Sequence, residues 1–173
     1  MRKRSRCVGK GLITGIAAGL AASWTMNQFF TVQSRLRQKF SDDRQQQQQQ
    51  TQKRDEDNPT VKVAEAVARP ILDRGLTNDE KKAGGSVVHY TFGALMGGLY
   101  GVMTEVWPAS KAGFGSAYAT ALWAGADEVI VPVLKLSPPP QESPLSQHLS
   151  GLGAHIVFGL TTEAVRRALR TAI

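Results

Sequence analysis

The chain has 173 residues, which is enough for one domain and too short for two well-packed ones, so a single unit is expected. Its net charge of +7 would suit an anionic partner, but the basic residues gather at the two chain ends and in a mixed-charge middle. That distribution argues against a nucleic-acid-binding module. The single cysteine, Cys7, excludes an intrachain disulfide and a cysteine-based zinc cluster.

Four apolar runs follow one another along the chain, at residues 11–30, 85–107, 112–134 and 149–165. Each is close to the about 20 residues that an α-helix needs to cross a bilayer. All four are rich in Gly and Ala, which makes each of them marginal for insertion. The pattern predicts an all-α fold: an integral membrane bundle of about four transmembrane helices, forming a single membrane domain over residues 1–173.

The polar middle of the chain carries a glutamine tract between mixed charges. Such a composition buries too little apolar surface to offset its ordering entropy, so residues 41–58 are expected to form one long disordered loop. After it, Val63, Val67 and Ile71 recur at a spacing of four, which predicts a short amphipathic helix over about 60–72.

Two alternatives to this membrane interpretation stay open. The basic start followed by a short apolar run is also typical of a cleaved signal peptide, which would remove the first span. The other alternative is a soluble helical bundle. Its difficulty is that the run after residue 85 offers water no polar face.

The apolar runs are interrupted by ionisable residues, and these are the candidate functional residues. They are His89, Glu105, Asp127, Glu128, His155 and Glu163. On four antiparallel spans His89 and His155 would share one layer with the Asp127–Glu128 pair, and Glu105 and Glu163 would share the opposite layer. Because His89 and Glu105 are about 24 Å apart along a helix, their partners must lie on other helices.

Glycines recur every four residues and predict grooves for close helix packing. The rows include Gly11, Gly15 and Gly19; Gly93, Gly97 and Gly101; and Gly151 and Gly159. These small-residue faces predict a compact bundle and suggest a homodimer.

Three interpretations of the ionisable residues follow. They could form a proton or ion pathway; they could pair across helices as structural polar contacts, in a structural or partner-binding protein without transport; or His89, Asp127 and His155 could bind a metal. No nucleophile elbow or phosphate-binding loop is present, which disfavours an enzyme and predicts no catalytic residue, no cofactor and no small-molecule ligand.

Three stretches carry a family resemblance: TEVWP at 104–108, PVLKLSPPP at 132–140 and GAHIVFGLTTEAVRRALR at 153–170. They resemble the YagU-like bacterial inner-membrane proteins, a domain of unknown function. The resemblance implies a bacterial inner-membrane protein in contact with lipid and supplies no reaction or ligand. The charge distribution places both termini in the cytoplasm. Asp127 stands where the family pattern has a histidine, so that position varies in type.

Overall fold

A computed structural model describes residues 2–40 and 58–172. The glutamine-rich loop expected over 41–58 therefore lies, but for its last residue, outside the described residues. The described part of the chain forms five longer helices: α1 (Arg2–Phe40), α2 (Pro59–Leu72), α3 (Asn78–Val106), α4 (Ser116–Gly125) and α5 (Leu145–Ala172).

Shorter helical stretches join the last three of these helices. A 3-10 turn (Pro108–Gly115) connects α3 to α4, and a second one (Pro140–Glu142) precedes α5. Directly after α4 the chain continues through a π-helical segment (Ala126–Ile130) and one α-helical turn (Val131–Val133). The run expected as one span over 112–134 is thus divided among four short helical segments.

Local sequence signals explain where two of the helices begin. Asn58 caps α2 by accepting a hydrogen bond from the Thr60 backbone N–H, and Pro59 occupies the first turn, where a missing N–H costs nothing. Thr77 and Glu80 form a capping box at the start of α3, each side chain accepting from the other's backbone N–H. The amphipathic α2 packs against α3, and Lys81 of α3 pairs with Glu65 of α2 at 3.1 Å.

The core of the molecule lies where α1 packs between α3 and α5. Its buried centre consists of Ala22 and Met26 from α1 with Ala154 and Phe158 from α5. Phe29, Phe30, Met96 and Leu122 close around it. Two of the four buried side chains are alanines, whose small size allows α1 and α5 to approach closely.

Glycines make the contact between α1 and α3 very close. A Cβ atom on Gly15 would collide with the carbonyl oxygen of Gly97, and one on Gly19 would collide with that of Gly93. A Cβ atom on Gly11 would likewise lie only 2.6 Å from the carbonyl oxygen of Gly101. The glycine rows of the first two apolar runs therefore face each other within one chain, where side chains larger than hydrogen do not fit.

The all-α part of the predicted fold agrees with these helices, but the integral membrane bundle is wrong. Within residues 2–40 and 58–172, no helix combines the length and the apolar character needed to cross a bilayer. The physical reason is composition: Gly, Ala, Ser and Thr make up much of each run, so length alone gave the impression of a span.

Candidate functional site

Ionisable side chains are spread along the whole of α5 and divide it into two halves. The first half carries His148 and His155, which are seven residues apart and therefore on one face. The second half carries Glu163 and three arginines, Arg166, Arg167 and Arg170. The two halves have different partners.

The second half is organised around the fully buried carboxylate of Glu163. Arg166 donates to it from Nε at 2.8 Å and from a terminal nitrogen at 3.0 Å, and Arg167 donates from Nε at 2.5 Å. Tyr100 of α3, which is also fully buried, donates its hydroxyl at 3.0 Å. We call these four residues the Glu163 cluster.

The pKa shifts of Glu163 and Tyr100 keep their protonation states unchanged near neutral pH. Burial acts to raise the pKa of Glu163, but hydrogen bonds from Arg166 and Arg167 outweigh it, and the net shift is downward. Burial, and then the negative charge of Glu163, raise the pKa of Tyr100 well above its ordinary value. Near neutral pH, Glu163 is therefore ionised and Tyr100 is protonated.

The second half of α5 also makes contacts nearer the surface, outside the Glu163 cluster. Arg170 pairs with Glu105 of α3 at 2.8 Å, and this hydrogen bond lowers the pKa of Glu105. The guanidinium of Arg167 lies 4.5 Å from the centre of the Phe114 ring, in cation–π contact. Close approach at Gly159, whose Cβ would meet the Gly115 carbonyl oxygen, holds α5 against the turn that carries Phe114.

The first half of α5 pairs with the two neighbouring carboxylates of the π-helical segment. His148 Nδ1 lies 2.8 Å from Glu128 Oε1, and His155 Nδ1 lies 3.7 Å from Asp127 Oδ2. We call these the two His–carboxylate pairs. A π-helical turn inside a helix is often found at functional sites, and here it carries both of these acidic residues.

The two histidines differ in their second contacts. Nε2 of His148 lies 3.0 Å from the carbonyl oxygen of Pro140. His155 uses the nitrogen that faces Asp127 to reach the Gly151 carbonyl as well, at 3.0 Å, and it is buried. The hydrogen bond to Glu128 is the main cause of a raised pKa at His148.

His89 lies on α3, near the second of these pairs. Its Nε2 is 3.4 Å from the carbonyl oxygen of Ser23 on α1, and partial burial is the main cause of a lowered pKa at His89. The charge of His155 also lowers the pKa of His89, and the charge of Asp127 raises it. In the described part of the chain, however, no group of three or more His, Cys, Asp or Glu side chains is placed to hold a metal ion.

Each candidate residue thus has a definite partner, and His89 and Glu105 have none in common. The spacing of three and four residues along α5 places Arg166 and Arg167 beside Glu163. The candidate residues chosen from the sequence did not include His148, Tyr100 or Arg170. The seven-residue spacing between His148 and His155 was a usable signal for His148. No sequence signal marked Tyr100, because its hydroxyl gains its role only from the crossing of α3 and α5.

Comparison with known proteins gives one result. A family model described as a protein of unknown function, DUF1440, matches residues 47–164. The matched region includes both His–carboxylate pairs, together with Tyr100 and Glu163. No curated protein and no solved structure matched the chain.

Proposed function

We propose that this chain, which belongs to the DUF1440 family of proteins of unknown function, is a pH-responsive helical protein. When His148 binds a proton, hydrogen bonds from its ring would connect the start of α5 to the π-helical segment and to the proline-rich turn before α5. The observation that carries this proposal is that both ring nitrogens of His148 face acceptors that bring no proton of their own.

The number of hydrogen bonds that the His148 ring can donate depends on its protonation state. Near neutral pH the Glu128 carboxylate and the Pro140 carbonyl only accept hydrogen bonds. A neutral imidazole has one N–H and can satisfy one of them, whereas an imidazolium has two and satisfies both. The arrangement at His148 therefore fits the protonated ring best.

The elements joined by His148 give the protonation a mechanical consequence. Glu128 belongs to the π-helical segment, Pro140 to the 3-10 turn, and His148 to the first turn of α5. Loss of the proton leaves one of the two hydrogen bonds unmade. The turn and the first residues of α5 then separate more readily from the rest of the molecule.

The direction of the pH effect follows from the raised pKa of His148. A base whose pKa is higher in the folded state contributes stability that is fully present below its unfolded pKa of about 6.5. That contribution is lost as pH rises through the raised folded pKa. The loss of this contribution therefore lies above the ordinary histidine pKa of about 6.5.

Imidazole NMR titration of the full-length protein tests the proposal. We expect His148 to titrate above the ordinary histidine value and His89 below it, because their pKa shifts have opposite directions. Glu128→Gln should move the His148 titration downward. Asp79→Asn, which removes an exposed carboxylate from the first turn of α3, is the matched control and should leave it unchanged.

Two results would overturn the proposal. One is a His148 that titrates at the ordinary value in the unmodified protein. The other is a His148 whose protonation changes no backbone signal in the 3-10 turn or the first turn of α5.

The narrower assignment to YagU-like proteins remains part of this proposal, and it rests on the stretches at 104–108, 132–140 and 153–170.

A further inference from the structure

The fold brings the two basic ends of the chain together at one end of the helix bundle. Glu105, in the last turn of α3, accepts a hydrogen bond from Arg170, in the last turn of α5. A Cβ atom on Gly11 of α1 would lie 2.6 Å from the side chain of Glu105. The 3-10 turn after α3 joins them, because Phe114 contacts the guanidinium of Arg167. We call the surface formed by residues 2–11, 104–115 and 163–172 the basic end.

The basic end carries the whole net charge of the chain. It contains nine Lys or Arg residues and two Glu residues, a net charge of +7, whereas the rest of the chain contains twelve basic and twelve acidic residues. Five of the nine lie in residues 2–10 of α1, one is Lys111 of the 3-10 turn, and three lie in residues 166–170 of α5. The buried pair of Glu163 and Arg166 cancels within the molecule. The remaining groups still sum to +7 and attract an anionic partner to this end.

The start of α1 extends past the other helices at the basic end. Gly11 lies level with Glu105 and Arg170, and α3 and α5 end only one and two residues after these. Residues 2–10 continue α1 for about 13 Å beyond Gly11, at about 1.5 Å per residue. Five of these nine residues are Lys or Arg. A helix start of this kind is suited to contact with an extended anionic surface.

Exposed aromatic and aliphatic side chains among these charges favour a lipid bilayer as the anionic partner. Trp107, directly after α3, is 59% exposed, and its neighbour Val106 and the neighbour of Arg170, Leu169, are exposed as well. Tryptophan together with Lys and Arg is typical of the membrane–water interface, where the indole lies among the headgroups and the cations pair with anionic lipids. A nucleic-acid backbone would use the charges but not the aliphatic side chains.

We infer that the basic end attaches the protein to the surface of an anionic phospholipid bilayer. The Lys and Arg residues at the start of α1 and in the 3-10 turn pair with headgroup phosphates, and Trp107 lies among the headgroups. This attachment takes place at the surface and needs no helix that crosses the bilayer. It goes beyond the proposed pH response and uses the end of the bundle away from His148, so either can fail alone.

Sedimentation of the full-length protein with lipid vesicles tests the inference. We expect binding to phosphatidylcholine–phosphatidylglycerol vesicles, little binding to phosphatidylcholine vesicles, and release as salt rises above about 0.15 M. The double variant Arg4→Gln/Arg6→Gln should weaken binding by about 10-fold or more, because each cation near an anionic surface contributes to affinity. Arg35→Gln/Lys39→Gln is the matched control: it removes two charges from exposed residues at the other end of α1 and should leave binding unchanged.

Tryptophan quenching by brominated phospholipids covers a charge variant that fails to fold. Bromine quenches only a tryptophan that reaches the lipid, so Trp107→Phe should remove most of the quenching. Trp24→Phe is the matched control, because Trp24 is similarly exposed, 57% against 59%, but follows Ser23 at the level of His89, away from the basic end. It should leave the quenching unchanged.

Four results would overturn the inference. The first is equal binding to the two kinds of vesicle, and the second is equal weakening by the two double variants. The third is quenching that Trp24→Phe removes and Trp107→Phe does not. The fourth is a protein that binds duplex DNA or polyglutamate under the same conditions but binds no vesicle, which would assign the basic end to another anionic partner.

Discussion

Both halves of α5 pair carboxylates with basic side chains, but the bases are arginines in the second half and histidines in the first. In the second half, a fully buried Glu163 is held by two arginines and a tyrosine. In the first half, the carboxylates of Asp127 and Glu128 are partly exposed and are paired with histidines. Arginine keeps its charge at any ordinary pH, whereas histidine gains or loses charge near neutrality.

The difference separates structural charge from responsive charge within one helix. Glu163 has a lowered pKa, so its contribution to stability is present above its unfolded value and is lost only as pH falls through the folded one. His148 has a raised pKa, so its contribution is lost as pH rises. At pH values above the pKa of Glu163, the charge of Glu163 in the second half therefore stays constant, whereas the charge of His148 in the first half is lost as pH rises.

The largest expected effect is at Glu163. Glu163→Gln removes the negative charge and leaves Arg166 buried without a carboxylate, which should lower the free energy of unfolding by about 3–5 kcal/mol. Urea denaturation measures it. Glu105→Gln breaks an ion pair with the more exposed Arg170 and should cost about 1 kcal/mol or less. Equal losses would remove the distinction between buried and surface charge.

Two glycines of α5 sharpen the comparison of its halves. Ala at position 159 would collide with the Gly115 carbonyl, and backbone cannot move aside, so a loss of about 1–3 kcal/mol is expected from overpacking. Ala at position 151 would meet Trp123 Nε1 at 3.0 Å, a side chain that can shift. Thermal unfolding should therefore rank Gly159→Ala well below Gly151→Ala. The reverse order would contradict the close contact at Gly159.

A smaller effect is expected at Tyr100. Tyr100→Phe keeps most of the side-chain volume and the ring, whose centroid lies 4.9 Å from that of Tyr118. It removes one hydrogen bond to Glu163. Because two arginines still satisfy the carboxylate, the loss should be about 1–2 kcal/mol by urea denaturation. A loss as large as that of Glu163→Gln would mean that the tyrosine, and not the arginines, fixes the buried charge.

The smallest effect, and the one specific to the first half, is at His148. In His148→Gln the melting temperature should lose that part of its pH dependence which lies around and above about pH 6.5. The physical reason is that glutamine can reach the same acceptors but does not titrate. Glu128→Gln should act in the same direction. A melting curve whose pH dependence is unchanged in both variants would remove His148 as the responsive group.

The sequence predicted the helices and the chemistry of Glu163 better than it predicted their surroundings. Spacing of three and four along one helix is visible in the chain, so the sequence alone places Arg166 and Arg167 beside Glu163. The pairing of Glu128 with His148 could not be predicted in this way, because a π-helical segment changes which face each carboxylate occupies. The donor from Tyr100 depends on a contact between residues 63 positions apart.

Glycine-rich runs misled the prediction of the environment. Their spacing correctly signals close helix contacts, yet it does not say whether the surrounding medium is lipid. Length and absence of charge favoured transmembrane helices, whereas the helices that form within the described residues are not apolar enough to cross a bilayer. The deciding quantity is the mean apolar character of each helix, which Gly, Ala, Ser and Thr keep low.

Hydrogen exchange along α5 tests the central claim most directly. As pH rises from about 5.5 through the raised pKa of His148, Glu163 stays ionised and Tyr100 stays protonated, while His148 loses its proton. We predict that amide protection factors, corrected for intrinsic exchange, fall in the first two turns of α5 and stay constant around Glu163. Equal changes in both halves, or none in the first two turns, would contradict the division of α5 into a responsive and a fixed half.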